Sequence, residues 1–275
     1  MKPESARHAA EYLRANDRDR YLATLVLPAA ARDSVTALYA FNADLASIRD
    51  RAREAAAGEI RIQWWIDALT GEGHGAVRQN PLADALLDAV AEFGLPVPAI
   101  LRLIEARRFD LYDDPMPDMP TFEGYAGETA SALYQLAAMI LNTGRPVEPG
   151  DAAGHLGVAH ALTGHLRAFG YNASKGRIIL PRDVLTTCGV TGTDIRAGKA
   201  SENLSVALTR FVDLASQHLD KADGAINALP KSLRPAFAPR AVLRAQLHAL
   251  DLDAPFQPPR EVADWRKLLL LTFAR

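Results

Sequence analysis

The sequence predicts an all-α protein, a single antiparallel bundle over residues 1–275 with short connectors. Apolar residues recur at three- and four-residue steps in one segment after another, the spacing of a helix with one buried face. Prolines and glycines stand at the edges of those segments, where helices start and stop. No internal repeat, heptad or strand-like alternation of any length breaks the pattern.

Ser5 to Ala15 reads as a first short helix, and Tyr21 to Leu27 as an apolar helical turn stopped by Pro28. One long helix is expected from about Arg32 to Ala56, on the apolar positions Val35, Leu38, Phe41, Leu45 and Ile48. Gly58 to Leu69 continues as helix. Its adjacent Trp64 and Trp65 project about 100° apart, so one belongs to the core and the other to a groove or the surface. After a loop from Thr70 to Gln79, Pro81 to Phe93 is helical, with proline at the start and Gly94 at the end. Pro96 to Asp113 follows. Its charged end (Arg107, Arg108, Asp110, Asp113, Asp114) reads as solvated, as charge runs at helix ends usually are. The segment Pro115–Pro120 is a rigid connector. Thr121 to Leu141 is expected as one helix, opened by a capping box in Thr-Phe-Glu-Gly.

The central stretch, Ala152 to Pro181, carries Leu156, Ala159, Leu162, Thr163, Leu166 and Phe169 at helical spacing, then a polar turn after Gly170. Leu204 to Leu229 and Ala236 to Asp251 complete the bundle, and a last helix ends in WRKLLLLTFAR. In that tail four leucines wrap every side, which favours packing on the bundle. Trp265, Arg266, Lys267 and Arg275 bracket the run as interfacial residues do, so peripheral membrane contact is the second reading.

Composition narrows the function classes. With 49 % hydrophobic residues, 23 % charged residues and a net charge of −2, the chain has no global basic field for nucleic acid. The single cysteine, Cys188, rules out an intramolecular disulfide and a multi-cysteine metal site. No activating base stands in its sequence neighbourhood, so it reads as structural. His155, His160 and His165 recur every five residues and spiral around their helix, while His218 and His248 stand singly. No zinc site is expected from them. The first residues lack an apolar core of the signal-peptide kind, and no apolar run approaches the ~20 residues of a membrane span. The expectation is a cytoplasmic protein, or one peripheral on the inner face of the cytoplasmic membrane.

Several strings resemble the squalene/phytoene synthase family in order and spacing. Tyr21 to Pro28 is similar to its opening YLASLLLP, Tyr39 to Asp50 to its YAFCRxxDDIxD signature, and Tyr125 to Leu133 to YCxxVAGxV. Leu156 to Pro181 resembles LGxAxQLTNxLRDxxED followed by GRxYLP, with Leu156, Gly157, Ala159, Leu162, Thr163, Leu166, Arg167, Gly176, Arg177, Leu180 and Pro181 in place. The resemblance implies the isoprenoid synthase fold, an all-α bundle around a central cavity. In that family aspartates paired four residues apart on facing helices hold magnesium against a prenyl diphosphate. The four main acidic positions read Ala46, Asp50, Ala168 and Asn172 here, and the family's diphosphate-contacting arginine falls on Ala43. Alanine offers a cation nothing and asparagine only a neutral carbonyl. Asp44, six residues before Asp50, is rotated roughly 240° from it and cannot share its metal.

The resemblance leaves Asp50, Tyr125, Arg167, Asn172 and Arg177 as residual pocket positions, with no catalytic residue, metal or cofactor expected. Arg167 and Arg177 match family arginines. They either hold an anion or pair with acids such as Asp50 or Asp183. The strings FNADLASIRD, GEIRIQWWIDAL, LTGHLRAF and GRIILPRDVL resemble more closely one non-catalytic branch of the family, which assists assembly of respiratory complex I. That implies complex I subunits as partners. Two alternatives stand beside it: a divergent prenyltransferase using magnesium, and a metal-independent binder of prenyl lipid.

Overall fold

All regular structure is helical, and no strand occurs among the described residues. The structure, a computed structural model, describes residues 1–275 except Arg53, His74 and Asp113. Three parts of the sequence expectations therefore lie outside the described residues: Arg53 of the long helix, His74 of the loop and Asp113 of the charge run.

The first half comprises α1 (Pro3–Asn16), α2 (Arg18–Leu25), α3 (Ala29–Ala46), α4 (Ile48–Arg51), α5 (Ala55–Thr70), α6 (Pro81–Phe93), α7 (Val97–Ala106), α8 (Met119–Ala126) and α9 (Ala132–Leu141). The second comprises α10 (Gly150–Arg167), α11 (Phe169–Ser174), α12 (Arg182–Thr187), α13 (Gly192–Arg196), α14 (Glu202–Ala228), α15 (Pro239–His248) and α16 (Asp264–Ala274). Local chemistry sets many of the ends. Asp17 caps α2 by accepting from the Arg20 amide, Asn80 caps α6 ahead of Pro81, and Ser201 caps α14 through the Leu204 amide. Gly94 closes α6 with φ of 58°, a left-handed turn that glycine adopts without a Cβ penalty.

Helix α10 occupies the centre. Ala152, Ala153, Leu156, Val158, Ala159, Leu162, Thr163 and Leu166 are all buried, so the helix is apolar on most faces, as a fully enclosed helix must be. It packs on α14, α9, α15, α8 and the turn between α8 and α9. Helix α3 is its counterpart in the first half, buried from Val35 to Leu45 against α1, α6 and α9.

Two expected continuous helices are broken. The helix predicted from Arg32 to Ala56 stops at Ala46, resumes for one turn as α4, and gives way at Ala52 to extended backbone. The Ser47 hydroxyl (2.8 Å) and the Arg51 guanidinium (2.9 Å) both donate to the Asp44 carbonyl. Side chains thus compete for an acceptor that would otherwise serve the helix. The helix predicted from Thr121 to Leu141 begins two residues earlier, capped by Asp118 rather than by a Thr121 capping box, and widens into a π-turn at Gly127–Ser131. That turn lies directly on α10 at Gly157. A Cβ added to Gly157 would stand 2.0 Å from Ser131 Oγ and 2.5 Å from Ser131 N. Short helices α11, α12 and α13 form where the sequence shows only a polar turn and connector.

The close approach at Gly157 gives a paired test. Gly157→Ala is expected to destabilise the fold by about 1–3 kcal/mol, because it overpacks a backbone contact. Gly154→Ala, one turn away with nothing within 4 Å of the new methyl, is expected to stabilise it by about 0.5–1 kcal/mol. Thermal melting of the two variants reads both signs.

Candidate functional site

A cavity of about 310 Å³ opens between α4, the turn after α7, the C-terminal end of α10, α11 and the loop that follows it. The break after α3 makes one wall, because it leaves Ala46, Arg49 and Asp50 facing the space. The end of α10 at Ala168 makes the other, since α11 then brings Asn172 to the lining. The four positions corresponding to the family's acidic ligands, Ala46, Asp50, Ala168 and Asn172, thus all line one cavity. Local sequence alone does not bring together residues more than a hundred positions apart.

Arg177 lies in the loop after α11, and its Nη1 donates to Asp50 Oδ1 at 2.8 Å. The arginine is largely buried and its carboxylate partner is 44 % exposed. Of the two readings for Arg177, the internal pair is the one present.

A second charge network lies deeper. Arg107, in the 3₁₀ turn Arg107–Leu111, donates from Nη1 to Asp110 Oδ2 (3.0 Å) and to Tyr125 Oη (2.8 Å), and from Nη2 to Asn42 Oδ1 (3.2 Å). Tyr125 in turn donates to Asp110 Oδ1 at 2.7 Å. Tyr125 therefore braces the cavity from behind, through Arg107 and Asp110, which line it. Burial drives the Tyr125 phenol well above its ordinary range, with Asp110 adding to the rise. Burial alone would lower Arg107, but Tyr125 and Asp110 hold its guanidinium firmly charged. His165 also lines the cavity, edge-on to Phe122, and burial lowers its imidazole to about 4. It is neutral near pH 7.

The expectation that the charge run after α7 is solvated fails at Arg107. The turn folds inward because Asn42 of α3 and Tyr125 of α8 supply the partners that a buried guanidinium needs. Arg108 keeps to the expectation, pairing near the surface with Glu105 and Glu59. Asp114 lines the cavity.

Arg167 does not join this cavity. Its guanidinium turns to the other side of α10, to Glu261 Oε1 (2.6 Å) and Asp19 Oδ2 (3.3 Å). There it lines a second cavity of about 210 Å³ with Arg20, His160, Gln246 and Leu271. Gly164 borders both cavities. Asp19 also accepts from Lys267 (2.6 Å) and Gln246 (2.6 Å). Burial raises its pKa, but these donors and Arg167 outweigh burial and hold it below the usual value. His160, hydrogen-bonded to Tyr134 at 2.7 Å, is kept neutral chiefly by burial.

Asp44 is a structural acceptor, taking hydrogen bonds from Tyr12 (3.0 Å), Arg51 (2.6 Å) and the indole of Trp65 (2.9 Å). That bond explains the tryptophan pair: Trp65 is buried and Trp64 packs edge-on outside it. His218 does find a partner, since His155 Nδ1 and His218 Nδ1 lie 3.0 Å apart. Among the described residues, no three histidine, cysteine or acidic side chains are gathered so as to hold a metal ion. The cavity wall fits a magnesium–diphosphate unit poorly. Asp50 is engaged by Arg177, and two ligand positions are methyl groups that offer a cation nothing.

Removing the buried cation tests the network. Arg107→Met is expected to cost about 1.5–3 kcal/mol, because it leaves the half-buried Asp110 without its charge partner and Tyr125 and Asn42 without a donor. Arg108→Met, which breaks a more exposed pair, is expected to cost under about 1 kcal/mol. Chemical denaturation of both variants checks the contrast.

Proteins with similar sequences include both assembly factors and prenyl diphosphate-type synthases. The chain is 31 % identical over 235 residues to a rat (Rattus norvegicus) protein named NADH dehydrogenase (ubiquinone) complex I, assembly factor 6, covering 86 % of this chain and 70 % of that one. It is 28 % identical to the presqualene diphosphate synthase of Sinorhizobium fredii, covering 100 % of this chain and 99 % of that one. The crystal structure of a dehydrosqualene synthase in complex with ligand superimposes with a TM-score of 0.84 at 23 % identity, covering 98 % of this chain and 95 % of that one. That likeness establishes the isoprenoid synthase fold. The family description squalene/phytoene synthase matches residues 13–267, and the chain belongs to the squalene/phytoene synthase family.

Proposed function

We propose that the chain is a non-catalytic member of this family that assists assembly of respiratory complex I, working beside the inner face of the cytoplasmic membrane. One observation carries the reading. Three of the four acidic ligand positions hold no carboxylate, and the fourth, Asp50, is bound by Arg177. Stabilising a leaving diphosphate is the principal task of such a site, and it requires cations held by carboxylates at that wall. An arginine on the last carboxylate removes its availability without supplying a metal. The similarity to complex I assembly factor 6 supports complex I subunits as the partners. A bound prenyl lipid, if present, is held without magnesium in this reading.

A prenyltransferase is the second reading. It is favoured by the end-to-end match to a presqualene diphosphate synthase and by two further carboxylates, Asp110 and Asp114, in the cavity lining. Asp110 is already taken by Arg107 and Tyr125, which weighs against it.

Two measurements on the same purified protein separate the readings. Incubated with farnesyl or geranylgeranyl diphosphate and magnesium, the chain is expected to release no pyrophosphate. Expressed at native level with an affinity tag, it is expected to co-purify with NADH dehydrogenase subunits. Magnesium-dependent pyrophosphate release without such co-purification overturns the proposal in favour of the transferase.

A further inference from the structure

Helix α16 packs leucines inward but also buries a charge and leaves part of its apolar set in the open. Its lysine, Lys267, is 4 % exposed, whereas Trp265 is 70 %, Leu269 51 % and Phe273 81 % exposed. The three exposed residues stand four apart, so they form one stripe that drifts only about 40° per step around the helix. An isolated exposed leucine is ordinary, but a tryptophan, leucine and phenylalanine aligned on one short helix form a contiguous apolar ridge.

The inner contacts fix this orientation. Lys267 Nζ donates to Asp19 Oδ1 at 2.6 Å and reaches Glu261 at 3.4 Å. Arg18 pairs with Asp264 at 2.7 Å. Leu271 is buried with Leu22, Ala23, Ala238 and Val242. Turning the helix to bury Trp265 and Phe273 would pull the buried Lys267 from the half-buried Asp19 and break their ion pair, a costly exchange. The ridge therefore faces outward because the ionic contacts beneath it dictate the rotation.

We infer that the outer face of α16 is a docking surface for an anionic lipid bilayer. The ridge is convex and only three side chains long. It is much smaller than the roughly 800 Å² per partner of a stable protein interface, whereas the headgroup region of a bilayer accepts such wedges. Charge agrees with this occupant. Arg266 on the helix and Arg275 immediately after it are exposed, while the one acid of the helix, Asp264, is engaged by Arg18. Basic residues beside an apolar ridge are drawn to anionic headgroups, and tryptophan favours the membrane–water boundary. No described helix is long and apolar enough to cross a membrane, so α16 lies along the surface. Leu271 on its inner face lines the second cavity with Arg167 and Gln246, which sets that cavity directly behind the docked helix. The inference stands whether or not the chain is catalytic.

Vesicle flotation tests it with the full chain, using phosphatidylcholine vesicles with and without phosphatidylglycerol. The protein is expected to float with the anionic vesicles only, and less so as salt is added. The double variant Trp265→Ser/Phe273→Ser is expected to reduce bound protein about tenfold or more with an unchanged melting temperature, since both side chains are exposed. Arg266→Glu is expected to weaken binding to anionic vesicles alone. Should the double variant melt early, Leu269→Gln serves as an independent probe of the same ridge. The inference is overturned by failure to float with anionic vesicles, by flotation that both ridge variants leave intact, or by a dimer in solution that the ridge variants dissociate, which would make a second copy the occupant.

Discussion

Burying Arg107 is the constraint around which the cavity is arranged. A guanidinium largely withdrawn from water must have its charge matched and most of its N–H groups accepted, or folding carries a penalty of several kcal/mol, on the order of a buried unpaired charge. Asp110, Tyr125 and Asn42 match the charge and accept from both Nη atoms, from three separate segments, while Nε has no hydrogen-bond partner. In doing so they lock α3, α8 and the turn after α7 into one relative position. The Tyr125 hydroxyl, donor to Asp110 and acceptor from Arg107, joins the two charges and leaves neither exposed to the cavity alone. The wall that carries Asp50 and Arg177 is built upon this frame.

The two sides of α10 then divide the interior. On one side His165, Ala168 and the following α11 face the Asp50–Arg177 pair; on the other His160 and Arg167 face Asp19, Gln246 and Lys267. Gly164 lies between, with no side chain to separate the two spaces. Both polar sets are paired internally, although the Nε atoms of Arg107 and Arg177 have no hydrogen-bond partner. The first pairs the remaining ligand-position acid with an arginine, and the second ties the last helix to the second through Asp19. Arginine has a planar fork suited to carboxylates, and in both cavities it is spent on the protein's own acids.

Much of this was legible in the sequence, and the failures have identifiable causes. The helical periodicity marked nearly every long helix, because each hides one face or, for α10, almost all of them. The family-like strings contain Ala46, Asp50, Ala168, Asn172 and Arg177, which line one cavity because they project from the backbone segments that form its walls. Arg167 matched its string equally well and yet turned away. Its partners, Asp19 and Glu261, lie 148 and 94 positions distant, and a local match does not specify a rotamer set by remote acids. The break at Ser47 and the π-turn beside Gly157 were hidden for a similar reason. One arises from side chains competing for the Asp44 carbonyl, the other from the pressure of a neighbouring helix. In α16 four consecutive leucines cover every face and carry no directional signal, so the orientation is decided by Lys267 reaching Asp19.

The central claim is that the last carboxylate at the ligand positions belongs to Arg177 and is not available to a divalent cation. Manganese is a spin-active substitute for magnesium with the same preference for oxygen ligands, and electron paramagnetic resonance reads its free fraction directly. Titrated into the protein with pyrophosphate present, manganese is expected to keep the free-ion signal of the protein-free pyrophosphate control, for the native chain and for Asp50→Asn alike. A pyrophosphate-dependent loss of that signal beyond the control, abolished by Asp50→Asn, would contradict the claim and put a functional metal site back in the cavity.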